Sequence, residues 1–158
     1  MNSDPLQPHS HDPNPNPPGA DAAFWLILPD GDQVRITPTQ LQNLPRSTVS
    51  NCFIVSTGHG ASGPFTFGGV ALLDLLQRYL PPARPWSQVE VVSGDGFGTR
   101  IWAAELTTPD ILRPILLSDT LDGAPLSREQ GLVRLIVPAE TDDALRQVKW
   151  VRTVRVHV

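Results

Sequence analysis

The sequence contains very little cysteine, with one residue, Cys52, in 158. A single cysteine excludes an intramolecular disulfide framework and a zinc site built from several cysteines. No apolar run approaches the roughly 18 residues of a membrane-spanning helix. There is also no basic patch interleaved with aromatic residues, and the formal net charge is −4 with a pI of about 5.4. We therefore expect neither a membrane nor nucleic acid as a partner.

The first twenty residues carry six prolines and almost nothing apolar. Such a segment cannot bury enough surface to offset its ordering entropy, so residues 1–20 are predicted to be a disordered tail. Residues 21–158 have the usual length of one domain. Because the N-terminus has neither a basic region followed by an apolar one nor a twin-arginine pair, the cytoplasm is the predicted location.

Short strands dominate the pattern of apolar residues. Two strands flank a Pro-Asp-Gly turn at 29–31, and Thr37 caps a small helix that begins at Pro38. A leucine stripe predicts one clear helix over 70–80, and Pro114 limits any helix over 111–117 to a short one. The other strands are predicted at 47–55, 88–92, 99–106, 133–137 and 151–158. The predicted class is α+β and strand-rich, with a mixed-sheet or barrel-like core and a few short helices.

Within the strand at 47–55, strict alternation places Val49, Phe53 and Val55 on one face. Cys52 and Ile54 then fall on the other face. By base rate, a cysteine on such a strand is a small buried hydrophobic residue.

The glycine-rich stretch STGHGASGPFTFGG, Ser56 to Gly69, lies between a predicted strand and a predicted helix. We interpret it as a loop that either binds an anion or cofactor through backbone N–H groups or turns a tight corner. It lacks the Gly-Lys-Ser/Thr ending of a phosphate-binding P-loop. A hydrolase using Ser56 or Ser62 with His59 is a weaker alternative. The second glycine-rich motif, GDGFG at 94–98, precedes a strand and is interpreted as a hairpin turn.

Three late cations, Arg134, Arg146 and Lys149, lie near predicted turns. They form either a solvated surface with ordinary salt bridges or an anion clamp. No set of ligands for a standard zinc site can be assembled around His59.

Three segments in order resemble the molybdopterin-binding domain of the sulfite oxidase family. The first is FTFGGVALLDLL, which is similar to the family's aromatic, Gly-Val and leucine-rich helix. The second is VEVVSGDGFGTRIWAAEL, with a Ser-x-Asp-Gly-aromatic turn. The third is ILLSDTLDGAPLSREQGLVRLIVPAETDDALRQVKWVRTVRV, with its Asp-Gly-x-Pro-Leu, Arg-Leu and Val-Lys-Trp motifs. The similarity runs from about Phe24 to Val158.

The resemblance implies a pocket that holds the phosphate of a molybdenum-pterin cofactor. On matched positions its cofactor-binding residues are Gly58, His59, Arg134, Arg146 and Lys149. The family also uses one cysteine thiolate on molybdenum, a soft ligand suited to this metal. Either Cys52 supplies that thiolate as the catalytic and metal-binding residue, or Ser56 occupies its position.

Two functions follow from the resemblance. The first is a molybdopterin-dependent oxidoreductase that catalyses oxygen-atom transfer or related redox chemistry. The second is a non-catalytic binding or interaction module on the same fold, which holds a pterin or another small anion. Neither the substrate nor the redox partner is specified by the sequence.

Overall fold

The structure, a computed structural model, describes residues 21–56, 60–81, 85–107, 114–138 and 147–158. This part of the chain contains ten strands and three helices. In chain order they are β1 (Phe24–Ile27), β2 (Gln33–Ile36), α1 (Pro38–Gln42), β3 (Ser47–Ser56), β4 (Gly60–Ala71), α2 (Leu72–Tyr79), β5 (Gln88–Ser93), β6 (Gly98–Trp102), α3 (Ala103–Thr107), β7 (Leu116–Leu121), β8 (Ala124–Pro125), β9 (Arg134–Ile136) and β10 (Val151–His157). The strand-rich α+β class is confirmed.

The first sheet has the strand order β2-β1-β10-β5-β6. The strands β1 and β10 pair in parallel, whereas the other neighbours are antiparallel. The late strand β10 therefore lies in the centre and joins two hairpins that are distant in sequence.

The second sheet has the order β3-β4-β7-β8, and β9 also pairs with β7. All of its described pairings are antiparallel. Beyond this sheet, an isolated antiparallel bridge between Leu135 and Val148 links β9 to the segment that starts at residue 147. This bridge holds Arg134 and Lys149 near each other.

The main hydrophobic core contains side chains from both sheets and from the helices. The leucine stripe of α2 contributes Leu72, Leu75 and Leu76, each at most 1% exposed. Burial of this stripe accounts for the helix, since its opposite face is polar. The predicted core role of the stripe is confirmed.

Local turn and cap chemistry agrees with two further predictions. The strands β1 and β2 form the expected hairpin around the Pro-Asp-Gly turn. Thr37 and Gln40 form a reciprocal capping box at α1, with Pro38 at the first helical position. Both features depend on residues that are close in sequence, so local patterns were enough to predict them.

The predicted glycine-rich loop over 56–69 is wrong in its described part, because Gly60–Ala71 is the long strand β4. This strand pairs with both β3 and β7. A Cβ atom at Gly69 would lie 2.0 Å from the backbone oxygen of Leu117. Glycine is thus needed for close strand approach rather than for a loop. Consequently, the predicted helix 70–80 begins only at Leu72.

The predicted faces of β3 are also wrong. Val49 and Cys52 are both buried, while Phe53 is 45% exposed. Asn51 has a left-handed φ of 56°, and the register with β4 shifts between Val49 and Cys52. This irregularity interrupts the alternation of side chains, as a β-bulge does.

Two predicted boundaries change because of tertiary or capping contacts. Leu116 and Leu117 lie in β7, paired with β9 and β4, rather than in a short helix. The strand predicted at 99–106 ends at Trp102, whose backbone N–H donates to Glu105 Oε2 at 2.9 Å and opens α3. In the described ranges, no helix has the length and apolar character needed to cross a membrane.

Candidate anion-binding site

Two of the predicted cations, Arg134 and Lys149, line one small pocket. We call it the cation pocket, and its lining residues are Ser93, Asp95, Phe97, Arg134, Gln147, Lys149 and Trp150. They come from the β5–β6 turn, from β9 and from the segment before β10. The cavity volume is about 10 Å³, close to the space of one water molecule. Only a single oxygen-sized atom of a ligand could enter this space, so the rest of any bound group would lie outside it.

Arg134 is the more deeply buried of the two cations. It is 8% exposed, and its Cζ lies 5.7 Å from the ring centroid of Phe67 on β4. Taking a guanidinium out of water is costly unless charges or hydrogen-bond acceptors meet it. Arg134 therefore places a positive charge in the wall of the pocket.

Lys149 is half-buried and approaches the same pocket from the last connecting segment. Its Nζ lies 5.8 Å from the centroid of a Trp150 ring. Gly131, with a φ of 115°, packs against the stem of the lysine: a Cβ there would lie 3.1 Å from Lys149 Cβ. The turn at Gly131 therefore restricts the positions of the Cβ and Cγ atoms of Lys149.

Trp150 ties the lysine segment to two turns. Its indole Nε1 donates to the backbone oxygen of Arg128 at 2.6 Å. Its backbone N–H donates to the oxygen of Gly131, and its own oxygen accepts from the N–H of Gly94, both at 2.9 Å. The residue has a left-handed φ of 52°. These contacts bring Lys149 beside the β5–β6 turn.

Gln147 fixes the start of the same segment against β9. Its Oε1 accepts from the N–H of Val137 at 2.9 Å, and its Nε2 donates to the oxygen of Val137 at 3.2 Å. The side chain is 4% exposed, so these bonds satisfy a buried amide. These two hydrogen bonds resemble a strand pairing, and they hold the segment of Lys149 against the segment of Arg134.

The β5–β6 turn places a carboxylate in the pocket. Ser93 Oγ donates to Asp95 Oδ1. In addition, the N–H of Phe97 donates to Asp95 Oδ1 at 3.2 Å. The predicted hairpin turn is confirmed, but sequence reasoning missed its place beside the cations. With two cations and one carboxylate, the pocket favours an anionic group whose neighbouring atoms donate hydrogen bonds.

Cys52 lies in a small separate apolar cluster with Val49, Phe67, Leu116 and Ile136. It is 4% exposed, and its Sγ lies 3.8 Å from the backbone oxygen of Val49 and 3.9 Å from that of Ser50. Cys52 does not line the cation pocket. Phe67 connects the two places, since it belongs to the cysteine cluster and lies under Arg134.

Gly58, His59 and Arg146 lie outside the described residues, so their predicted roles stay predictions. Ser56 is the last residue of β3, and its side chain is likewise outside the described part. In the described ranges, no group of three or more His, Cys, Asp or Glu side chains could hold a metal ion.

The fold is a two-sheet α+β domain in which Arg134 and Lys149 line one pocket. Residues 30–158 match the family described as the oxidoreductase molybdopterin binding domain. The chain belongs to this family. The resemblance seen in the sequence is thereby confirmed for the family.

A solved structure with a similar fold is the sulfane dehydrogenase SoxCD from Paracoccus pantotrophus. The TM-score is 0.65 at 18% identity, over 85% of this chain and 38% of that chain. At this identity the likeness shows the fold, and this chain spans well under half of the SoxCD chain that it matches. No curated protein matches the sequence.

Proposed function

We propose that this chain binds a molybdenum-pterin cofactor through the cation pocket and acts as a molybdopterin-dependent oxidoreductase domain. The observation that carries the proposal is the convergence of Arg134 and Lys149 on one pocket. A phosphate ester matches this donor set, because it is a compact anion with several acceptor oxygens. Membership of the family makes the phosphate of a pterin the favoured ligand.

In this proposal Arg134 and Lys149 hold the phosphate. Asp95 accepts hydrogen bonds from donors on the body of the cofactor and so sets its orientation. Gly58, His59 and Arg146 complete the cofactor contacts. The bound cofactor would supply oxygen-atom transfer at molybdenum.

The proposal is tested by removing both described cations. We expect Arg134→Ala with Lys149→Ala to lower cofactor retention about tenfold or more, since a hydrogen bond to a charged group contributes about 1.5–3 kcal/mol. The full chain is purified from a host that makes the cofactor, and molybdenum and pterin are measured per mole of folded protein. Lys149→Ala alone covers the case in which loss of Arg134 prevents folding.

The matched control is Arg78→Ala, because Arg78 is an exposed cation on α2 away from the pocket. It should retain as much cofactor as the unmodified chain. Equal retention in the control and the pocket variants would reject the cation pocket as the cofactor site. Absence of molybdenum and pterin from the unmodified chain would reject the proposal as a whole.

A second candidate function is a binding module without redox turnover. It is favoured by the position of Cys52, which is buried in the apolar cluster and does not line the cation pocket. A thiolate that ligates a metal must be deprotonated and must reach the cofactor. If Cys52→Ser retains the cofactor and the unmodified chain reduces no electron acceptor, the module is supported. Turnover that disappears in Cys52→Ser would instead establish the oxidoreductase.

A further inference from the structure

Each cation of the pocket lies close to an aromatic ring. Arg134 Cζ is 5.7 Å from the Phe67 centroid, and Lys149 Nζ is 5.8 Å from a Trp150 centroid. Both distances are within the range in which a ring face attracts a cation. Phe67 lies on β4 under Arg134, whereas Trp150 lies in the segment before β10 and itself lines the pocket.

Both rings are themselves held by the fold. Phe67 is 0% exposed and packs in the cluster around Cys52. Trp150 is 6% exposed, and its indole N–H is bonded to the oxygen of Arg128. Rings fixed in this way restrict the charged groups that rest on them.

The backbone at Trp150 adds an independent observation. A left-handed φ of 52° is uncommon for a bulky residue. Such conformations persist where surrounding contacts over-determine them, and they are enriched at ligand sites. Here the backbone N–H of Trp150 donates to the oxygen of Gly131, and the backbone oxygen of Trp150 accepts from the N–H of Gly94. This conformation places Lys149 on the pocket wall.

We propose that Phe67 and Trp150 are positioning residues, which hold the two positive charges in place before an anion binds. Long flexible side chains lose rotamer freedom on binding, so holding them beforehand increases affinity. The proposal deepens the proposed function and rests on it, since it concerns how the same pocket binds its anion.

One test needs no ligand. Lys149 is the only lysine in the sequence, so lysine labelled with ¹³C gives a single side-chain signal by NMR. A charge held over an indole face should show its Cε protons shifted upfield by the ring. We expect Trp150→Leu to return this signal to the position of a free lysine, whereas Trp25→Leu leaves it unchanged. An unshifted signal in the unmodified chain overturns the role of Trp150.

The second test measures affinity for inorganic phosphate by calorimetry on folded protein. We expect Phe67→Leu and Trp150→Leu each to weaken binding by about threefold to tenfold. Trp150→Phe should recover part of the loss, because it keeps an aromatic face but lacks the fused ring and the N–H that bonds the oxygen of Arg128. The lysine signal of the first test distinguishes this effect from a general packing defect.

The matched control is Trp25→Leu. Trp25 makes the same kind of contact, with Arg35 Cζ 5.8 Å from its ring, but outside the pocket. Equal phosphate affinity in Trp150→Leu and Trp25→Leu overturns the inference and leaves the proposed function standing. Failure of the unmodified chain to bind phosphate counts against the proposed function itself, while the lysine signal still decides whether the ring positions the charge.

Discussion

Asp21 is an exposed carboxyl with two hydrogen-bond donors beside it. Its pKa lies below the ordinary value of 3.8, first because the N–H of Ala23 donates to its carboxylate and next because Arg35 does. The charge of Arg152 acts in the same direction. Because the folded pKa is lowered, the contribution of Asp21 to stability is present above pH 3.8. It is lost as the pH falls through the lower folded value.

This pair supports a prediction about Arg35. In Arg35→Gln, the pKa of Asp21 should rise, yet it should stay below 3.8 because the Ala23 hydrogen bond remains. A carboxyl ¹³C titration by NMR measures it directly. Arg152→Gln serves as the comparison and should give a smaller rise, since its effect is through charge alone. The assignment of causes fails if Arg35→Gln leaves the titration unchanged.

The sequence identified some residues of the site but not others. Arg134 and Lys149 could be named because the resemblance matched their motifs, and their convergence is seen in the pocket. Asp95 was placed only in a turn, since Asx chemistry is local. The contact of Phe67 with Arg134 joins β4 to β9. No local pattern contains such a contact, so only the tertiary fold could show it.

At the scale of elements, β4 shows why a high glycine content does not reliably predict a loop. The segment has the composition of a loop, yet Gly68 and Gly69 lie where β4 passes β7 with an irregular register. Propensity describes one strand, whereas here the partner strand decides the residue type. Elements with their own short-range signals, such as the α1 cap and the β1–β2 turn, were predicted correctly.

Because β4 passes close to β7, adding a methyl group at Gly68 or Gly69 should lower the stability of the fold by different amounts. Gly69→Ala would place Cβ 2.0 Å from the backbone oxygen of Leu117 and should destabilise the fold by about 1–3 kcal/mol. Gly68→Ala instead meets the side-chain oxygen of Thr120 at 2.5 Å. Adding Thr120→Ala should therefore restore most of the stability lost in Gly68→Ala. Urea denaturation measures the free energy of unfolding in each variant.

Gly69→Ala has no comparable rescue, because its obstacle is backbone. The explanation would be wrong if Thr120→Ala restored Gly69→Ala as well as Gly68→Ala. It would also be wrong if Gly69→Ala were as stable as the unmodified chain.

At the scale of the whole molecule, the first sheet depends on β10. This strand lies between β1 and β5, so the hairpins β1–β2 and β5–β6 meet only through it. An isolated two-stranded hairpin is marginally stable in water. The core residues Val154 and Val156 are also supplied by this strand.

Removal of residues 151–158 should therefore abolish cooperative unfolding. Near-ultraviolet circular dichroism and a denaturant titration measure the loss. Removal of Val158 alone is the control, because this residue is 67% exposed and follows the strand. A cooperative transition that survived removal of 151–158 would show that the hairpins do not need a shared central strand.

The central position of β10 also has a consequence for biosynthesis. During synthesis, β1 emerges long before its parallel neighbour β10, which must wait until residues 151–157 have been made. During that interval one edge of β1 has no partner in the first sheet, a condition that promotes misassembly. Closure of the first sheet therefore cannot precede the synthesis of β10.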